Sequence, residues 1–458
     1  MRTEFDVIVL GGGAPGEHCA AAVAAGGRRV AIVERELLGG ECSYWGCIPS
    51  KTLLRPGEVL AAARHVPGAA EAVTGRVDPA SALAWRDFMV SDYDDAGQVA
   101  WARGAGIEVI RGRGRLSGPG AVRVGDTTYT APDIVVATGS DPAIPPVSGL
   151  AGLPGLWTDR EVTALKEVPG RLLVLGGGAI GVEMAQAVRR LGASVTLVER
   201  GDQLLPREPR PLGDGVAAAL QGDGIELRLG QAPVAARVEA GVYVLELADG
   251  STVSGDKLLV ATGRRPRVAD LGLETVGVAA DPRGIATDAR MAVRPGLWAI
   301  GDVTGQWLLT HVGEYQGRVV ASNILGRPRE AHYEAVPQVI FCDPQAASVG
   351  AAEGELTATV ALAGIPRTAT YTRAYDTQPG FLTLLSDGAV LTGAYALGPE
   401  AGEWLQQVTA AIRARIPLSV LIDVIQPFPT FSEAVFQALR ELDRQLTAAA
   451  PATAEARS

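Results

Sequence analysis

The sequence of 458 residues predicts an α/β protein with two similar parallel-sheet domains and a separate C-terminal α+β domain. Two observations predict the paired domains. A strand that leads through a glycine-rich loop into a helix occurs twice, and each copy is followed by an apolar strand that ends in Ala-Thr-Gly. The third observation is that strands alternate with helices from about residue 335 to residue 446.

The first copy begins with an apolar strand at residues 6–10, which is followed by a glycine-rich loop and an alanine-rich helix. A second strand at residues 30–33 ends at Glu34. Glycines allow a tight turn and close approach of a phosphate, the helix N-terminus favours an anion, and the carboxylate can bind a ribose hydroxyl. The loop glycines that we assign to cofactor binding are Gly11, Gly13 and Gly16.

The second copy has the same order, with strands at 172–175 and 194–198 and an acid at Glu199. The distance from the first loop glycine to the acid is 23 residues in both copies. A single glycine motif is weak evidence, but two copies at one spacing predict two Rossmann-like dinucleotide-binding domains. The further residues assigned to these sites are Gly176, Gly178 and Gly181 in the second loop and Thr138, Gly139 and Gly263 in the Ala-Thr-Gly segments.

Composition excludes several classes of protein. Hydrophobic residues make up 47% and charged residues 20% of the chain, which excludes a disordered or collagen-like protein. The net charge of -10 predicts no nucleic-acid partner and no binding to an anionic membrane surface. Because no apolar segment is long enough for a membrane span or a signal peptide, we expect a cytoplasmic protein.

Two of the four cysteines, Cys42 and Cys47, lie close together after the first acid. A disulfide between them would close so short a loop that it would add little stability, which favours a redox role over a structural one. Pro49 and Ser50 predict a helix start nearby, and a helix N-terminus lowers the pKa of a neighbouring thiol. The alternative is two buried cysteines without chemistry. No metal site is predicted.

Lys51 follows the cysteines and is one of only three lysines in an arginine-rich sequence. A lysine where the sequence otherwise uses arginine indicates a need for a compact charge with an adjustable pKa, such as one beside a flavin N5. Glu183, on the helix after the second glycine loop, is its candidate partner. An ordinary helix carboxylate is the alternative for Glu183.

With these motifs the chain resembles, from residue 6 to residue 436, the flavoprotein pyridine nucleotide-disulfide oxidoreductases, which include dihydrolipoamide dehydrogenase, glutathione reductase and mercuric reductase. The resemblance implies FAD on the first module, NAD(P)H on the second, and a homodimer. It also implies that Asp302 contacts the flavin ribityl chain, that Cys42 exchanges with substrate and that Cys47 faces the flavin. The implied domains are an FAD-binding domain at 1–148 and 269–334, an NAD(P)-binding domain at 149–268, a dimerisation domain at 335–446 and a flexible tail at 447–458.

The sequence leaves two features of the cofactor sites open: the preference for NADH or NADPH, and the role of His311. Glu199 favours NADH because a carboxylate repels a 2'-phosphate, but Arg200 follows at a position where NADPH-using relatives carry a cation. His311 matches the helix start after Asp302, which suggests an isoalloxazine neighbour. A purely structural histidine is the alternative.

The sequence departs from the family near its end. Typical members carry a segment resembling His-x-His-Pro-Thr-x-x-Glu, whose second His moves protons for the partner subunit's dithiol. Here Phe428 stands in that position, Glu433 is retained, and no histidine follows His332. Loss of the imidazole removes general acid-base help of roughly a hundredfold or more.

The leading interpretation is therefore an FAD-dependent NAD(P)H oxidoreductase that passes electrons through the Cys42–Cys47 disulfide to a disulfide or other small acceptor. Alternatives are a quinone or electron-carrier reductase, and thiol chemistry resembling that of 2-ketopropyl-coenzyme M carboxylase, where a Phe also occurs. A dehydrogenase of a lipoyl complex ranks below the leading interpretation and above carboxylation. An alternative of another class is an FAD- and NADH-binding redox sensor or complex subunit with weak turnover. A metal reductase lacks support because no cysteine follows Cys342.

Overall fold

The structure is a computed structural model that describes residues 2–449. A six-stranded sheet forms the first module, in the order β17-β18-β7-β1-β2-β3. The elements up to residue 148 are β1 (Val7–Leu10), α1 (Ala14–Ala25), β2 (Val30–Glu34), α2 (Gly40–Tyr44), α3 (Cys47–Arg64), α4 (Pro79–Met89), α5 (Ala96–Gly104), β3 (Ile107–Arg111), β4 (Gly114–Leu116), β5 (Ala121–Val124), β6 (Thr127–Thr130), β7 (Asp133–Val136) and β8 (Ser140–Pro142). The later elements of this module are β17 (Ala292–Arg294), β18 (Leu297–Ala299) and α9 (Thr310–Ile324).

The register of this sheet explains where its functional loops meet. Leu10 pairs with Val33 on one side and with Val136 on the other, and Val136 pairs with Ala299. All these pairings are parallel, so the carboxyl ends of four strands lie at one edge. The segments that follow the strands therefore converge there, as is typical of ligand sites in open α/β sheets.

The second module repeats this plan around a four-stranded parallel sheet in the order β11-β10-β9-β15. In each module a three-stranded antiparallel sheet covers one face of the parallel sheet, formed by β4–β6 in the first and by β12–β14 in the second. The elements of the second module are α6 (Asp159–Thr163), β9 (Arg171–Leu175), α7 (Ala179–Arg190), β10 (Ser194–Val198), α8 (Arg210–Gly222), β11 (Glu226–Arg228), β12 (Pro233–Glu239), β13 (Val242–Leu247), β14 (Thr252–Gly255), β15 (Lys257–Val260) and β16 (Arg264–Pro266).

The C-terminal part is a five-stranded antiparallel sheet in the order β19-β20-β23-β22-β21, with helices packed on it. Its elements are β19 (Pro337–Ile340), β20 (Gln345–Gly350), β21 (Leu356–Ala361), α10 (Pro366–Tyr371), β22 (Phe381–Ser386), β23 (Leu391–Gly398), α11 (Ala401–Trp404), α12 (Gln406–Arg413), α13 (Leu418–Ile422) and α14 (Ser432–Ala449). Short 3-10 helices occur at Ala70–Ala72, Ser91–Tyr93, Leu150–Gly152, Leu273–Val276, Gly301–Thr304, Leu362–Gly364 and Ala374–Asp376.

One hydrophobic cluster joins the parts of the chain. It contains Leu53 of α3, Val188 of α7 and Leu397 of β23, all of them buried. Burial of apolar surface on this scale fixes the modules against each other. Among the helices of residues 2–449, none has both the length and the apolar character needed to cross a bilayer.

The structure corrects several predicted element boundaries. Helix α3 begins at Cys47, which is earlier than the start predicted at Pro49 and Ser50. The helical segment at 401–413 consists of two helices that meet at Leu405. Helix α14 continues to Ala449, so residues 447–449 are helical, and the remaining residues of the predicted flexible tail lie outside the described residues.

Candidate active site

A cavity of about 960 Å³ opens at the carboxyl edge of the first parallel sheet. Its volume lies at the upper end of the range for small-molecule and cofactor sites. It brings together most of the predicted site residues of the first module with the dithiol and with α7. The predicted residues in its wall are Gly11, Gly13, Glu34, Cys42, Cys47, Lys51, Thr138, Gly139, Glu183, Asp302 and His311.

The first glycine loop is shaped for a phosphate group. Gly11 has φ +108, a conformation that favours glycine, and a Cβ there would collide with the carbonyl of Ala137. Gly16 packs its Cα against the carbonyl of Gly11, which brings α1 close to the strand. No side chain caps the N-terminus of α1. The unpaired backbone N–H groups of its first turn can therefore bind an anion.

The carboxylate of Glu34 binds backbone N–H groups of this loop and of the segment that follows β2. One carboxylate oxygen accepts the backbone N–H of Gly12 at 2.7 Å, and the other accepts the N–H of Glu36 at 2.7 Å. A carboxylate offers about four lone-pair sites, so each oxygen keeps one for a ribose hydroxyl. The position and the hydrogen bonds of Glu34 fit the ribose contact expected from the sequence.

The second glycine loop repeats this arrangement atom for atom. Gly176 has φ +112, and Glu199 accepts the N–H groups of Gly177 and Gly201, both at 2.7 Å. Gly178 precedes α7 without a side-chain cap, and Gly181 packs against the carbonyl of Gly176. Arg200 is exposed beside Glu199, and Gly263 has φ +122.

These second-loop residues lie outside the wall of the large cavity, whereas Ile180, Glu183 and Met184 of α7 reach it. Helix α7 thus connects the second glycine loop with the dithiol cavity.

Cys42 lies in α2 and Cys47 is the first residue of α3. Both are free thiols in this structure. The pKa of Cys47 is lowered to about 6 by a hydrogen bond from the Cys42 thiol, and also by Thr310 and the charge of Lys51, against the opposing effect of burial. The pKa of Cys42 is raised because its proton is shared with Cys47 and because it is buried. Cys47 is therefore the more acidic thiol of the pair, and Cys42 is the less acidic one.

Lys51 and Glu183 form an ion pair at 2.7 Å between their Nζ and Oε2 atoms. Glu183 is buried, and its second oxygen accepts the backbone N–H of Phe341 at 2.9 Å. The Lys51 ammonium also lies 4.7 Å from the centre of the Phe341 ring. Residues from both modules and from the C-terminal sheet thus fix the ammonium in the cavity.

Asp302 lies in the 3-10 helix that follows β18, at the converging strand ends. It accepts the hydroxyl of Ser140 at 2.6 Å, and Arg264 lies 3.8 Å away. Thr138 donates its hydroxyl to the carbonyl of Arg267 at 3.0 Å. The imidazole Nε2 of His311 lies 2.8 Å from the carbonyl of Pro337, so this nitrogen donates a hydrogen bond and is not a free base.

Phe428 and Glu433 lie on the surface of the C-terminal domain, away from the cavity of their own chain. Phe428 is 70% exposed, and Glu433 in the first turn of α14 is half-buried, 3.5 Å from Gln437. Val420, Val424 and Ile425 beside Phe428 are also exposed. The structure therefore does not bring these two predicted site residues to the dithiol within one chain.

Comparison with known proteins decides the family. Residues 5–317 match the family described as pyridine nucleotide-disulphide oxidoreductase, and residues 336–439 match its dimerisation domain. The chain belongs to the pyridine nucleotide-disulphide oxidoreductase family. It is 35% identical to a dihydrolipoyl dehydrogenase of Thermus scotoductus, with 97% of this chain and 98% of the relative covered. It is 33% identical to a mercuric reductase of Acidithiobacillus ferrooxidans, with 97% and 83% covered.

A solved structure of the HOCl-induced flavoprotein disulfide reductase RclA from Escherichia coli is similar over 96% of this chain and 99% of that chain, with a TM-score of 0.84 and 27% identity. The predicted fold class and family are thereby confirmed. This oxidoreductase is an FAD-dependent flavoenzyme that uses NAD(P)H and a redox-active disulfide, and it carries the family's dimerisation domain.

The residues of this oxidoreductase fit both cofactors. Two uncapped helix N-termini stand behind close-packed glycine loops, and each has an acid with spare lone pairs. The cavity beside the first loop is large enough for a cofactor ring system next to the cysteines.

Sequence reasoning missed many residues of the cavity wall, among them Arg160, Arg264, Thr310 and Phe341. Thr310 stands next to the predicted His311, and Arg264 directly follows the second Ala-Thr-Gly, so both had a local signal. Arg160 and Phe341 had none, because they reach the site only through the packing of α6 and β19.

Proposed function

We propose that this oxidoreductase passes an electron pair from NAD(P)H through the Cys42–Cys47 pair to a small acceptor that needs little acid catalysis. The observation that supports this most directly is that both cysteines and the Lys51–Glu183 pair line one cavity beside the first glycine loop. FAD, when bound, supplies the step that converts a hydride into an electron pair for the disulfide. We assign FAD to 1–148 and 269–334 and the nicotinamide cofactor to 149–268, with Glu199 favouring NADH.

The dithiol chemistry follows from the two thiols. Cys42 attacks one sulfur of an acceptor disulfide and forms a mixed disulfide, and one acceptor thiolate leaves. Cys47 then attacks the Cys42 sulfur, which restores the Cys42–Cys47 disulfide and releases the second acceptor thiolate. Cys42 transfers its proton along the hydrogen bond to Cys47, which replaces part of the task of an imidazole. Cys47 then gives this proton to the released acceptor thiolate or to water, so that it is a thiolate when it makes the second attack.

The missing imidazole limits the acceptor. With Phe428 in place of the family's histidine, no imidazole from that domain protonates the departing thiolates. Leaving groups with a low thiol pKa depart as thiolates without such help. We therefore propose a disulfide of acidic thiols as the acceptor class. An electron carrier such as a quinone is the second candidate, because the exposed ring of Phe428 is apolar.

We further propose that the homodimer completes each site, with Phe428 and Glu433 contributed by the other protomer. The support is the exposure of Phe428 beside Ile425, which is 95% exposed, on the family's dimerisation domain. Such an exposed apolar surface is typical of a protein interface. The free buried thiols of Cys19 and Cys342 fit a cytoplasmic location, where thiols stay reduced.

An anaerobic acceptor screen tests the proposal. Purified protein is mixed with NADH or NADPH and with an aryl disulfide of acidic thiols, lipoamide or a quinone, and oxidation of the nicotinamide is followed. We expect the aryl disulfide to react fastest and Cys42→Ser to abolish that reaction. Reduction of quinone that persists in Cys42→Ser supports the electron-carrier alternative. Lipoamide as the best acceptor contradicts our assignment of the acceptor.

A further inference from the structure

Helix α6 of the second module contacts the loop that carries the two cysteines. The guanidinium of Arg160 donates to both oxygens of Glu36, at 2.8 and 3.1 Å, and to both oxygens of Glu41, at 3.0 Å each. Glu41 directly precedes Cys42. The same guanidinium lies 4.0 Å from the ring centre of Trp45, between the two cysteines.

A second residue of α6 contacts the same loop. The Thr163 hydroxyl lies 3.1 Å from the carbonyl of Trp45 and shares its single proton between that carbonyl and the carbonyl of Asp159, which is 2.7 Å away. The loop is therefore contacted by two side chains, one turn apart on one helix, at the position before Cys42 and at the position two residues before Cys47. Nothing in the glycine motifs or the dithiol motif accounts for these contacts.

Helix α6 is itself firmly anchored. Thr158 and Glu161 form a capping box at its N-terminus. At its C-terminal end Arg86 of α4, which is fully buried, donates to the carbonyls of Thr163 and Leu165. A guanidinium at a helix C-terminus satisfies carbonyls that lack a partner in the helix and is favoured by the helix dipole.

The chemistry of these contacts requires an arginine. A guanidinium offers a planar fork that binds two carboxylates in a bidentate manner while its face stacks on an aromatic ring. Lysine carries the charge but has neither the fork nor the planar face. The side chain of Arg160 is 28% exposed, and Glu41 is 25% exposed, so solvent screens this pair only in part.

We propose that Arg160 is a positioning residue for the dithiol. From the second module, Arg160 fixes Glu41 and Trp45, and it thereby keeps the Cys42 thiol placed to donate a hydrogen bond to Cys47. This role rests on the proposed function of the two cysteines. The other groups that face the pair or Glu41 are Lys51, on the same helix as Cys47, Thr310 of α9, and Arg264, which lies 3.9 Å from Glu41. Loss of the guanidinium removes both hydrogen bonds to the Glu41 carboxylate and the contact with the Trp45 ring, and leaves Arg264, 3.9 Å from Glu41, as the remaining cation beside that carboxylate.

The test measures thiolate reactivity directly. Holoprotein is reduced with dithiothreitol, alkylated with iodoacetamide across a pH series, and the modification of each cysteine is followed by mass spectrometry. In Arg160→Met and Arg160→Lys we expect the midpoint for Cys47 to rise by about one pH unit, because Glu41 and Trp45 lose the fork and the planar face that fix them and the hydrogen bond from Cys42 weakens. FAD content and melting temperature serve as checks of folding.

Arg171→Met is the matched control, because Arg171 also binds a carboxylate through its fork, that of Asp256, but lies outside the cavity wall. It should leave the Cys47 midpoint unchanged. An unchanged midpoint in Arg160→Met overturns the proposal, and a wild-type midpoint in Arg160→Lys shows that charge alone suffices and overturns the positioning role. If Arg160→Met does not fold, Arg160→Lys alone decides.

The proposed function is tested separately by adding NADH, without dithiothreitol, to the wild-type protein. If the cysteines stay oxidised, the proposed function fails, while the alkylation series still decides the role of Arg160.

Discussion

At the scale of single residues, Cys47 is the more acidic of the two thiols in the cavity. Its pKa of about 6 depends first on the hydrogen bond from the Cys42 thiol. Because the thiolate is the reactive form, alkylation of Cys47 should be fast above pH 6 and should fall as the pH drops below that value.

Removing the donor gives a directional prediction. In reduced Cys42→Ala the alkylation midpoint of Cys47 should rise from about 6 toward its ordinary value of 9.0. The pH dependence of iodoacetamide labelling measures this shift. Cys19→Ala, which removes a buried thiol remote from the cavity wall, should leave it unchanged. A midpoint that stays near 6 without Cys42 contradicts the assigned cause.

The buried carboxylate of Glu183 gives the second prediction. Glu183→Gln keeps an oxygen for the Phe341 N–H but leaves the Lys51 ammonium without its counter-ion. A lost charge-assisted hydrogen bond reduces the rate of reduction by NADH by roughly tenfold or more. Stopped-flow absorbance after mixing with NADH measures the rate. Glu58→Gln, which removes a half-buried carboxylate of α3 that pairs with the exposed Arg55, should change this rate less than about twofold.

Residue-level prediction from sequence succeeds where a motif places a side chain next to its own backbone. The Gly11 loop with Glu34, and the Gly176 loop with Glu199, have the geometry that their spacing indicates. The Lys51–Glu183 pair was predicted from residue scarcity and is observed. Arg160 was not predicted, since its partners are 119 and 124 residues away and only the packed fold brings them together.

At the scale of secondary-structure elements, the repeated strand-loop-helix units were predictable because each is a local pattern. The strands of the C-terminal sheet were harder to predict from the sequence. Strand β20 contains small and polar residues with no clear alternation, and β21 alternates but is built largely of alanine and threonine. These elements are defined by pairing with β23 and β22, which is information the local sequence lacks.

Helix α6 carries the prediction that belongs to this scale. Arg86→Met retains an apolar stem but removes the guanidinium from the carbonyls of Thr163 and Leu165, which stay buried. Two unsatisfied carbonyls cost about 3 kcal/mol, so hydrogen exchange of the α6 amides should accelerate by roughly a hundredfold. Mass spectrometry of exchanged peptides measures this. Arg103→Met, at an exposed position of α5, should leave the exchange of α6 unchanged, and equal rates in both variants refute the anchoring role.

At the scale of the whole molecule, the position of Phe428 decides how many chains build one site. In a single chain it lies on the surface of the dimerisation domain, 70% exposed, while the dithiol lies in a cavity whose wall does not include it. A histidine at this position should assist disulfide reduction, because it supplies the missing acid for the departing thiolate. We expect Phe428→His to raise the rate with lipoamide by roughly ten- to a hundredfold.

Hybrid dimers show which protomer this residue serves. One hybrid pairs a wild-type protomer with Cys42→Ser/Phe428→His, so that the intact dithiol and the new histidine sit on different chains. The other pairs Phe428→His with Cys42→Ser, so that both sit on one chain. If the site is shared across the interface, the rate with lipoamide rises only in the first hybrid. Differently tagged, co-expressed protomers provide both hybrids for the NADH oxidation assay. A gain confined to the second hybrid contradicts a shared site, since the histidine would then reach the dithiol of its own chain.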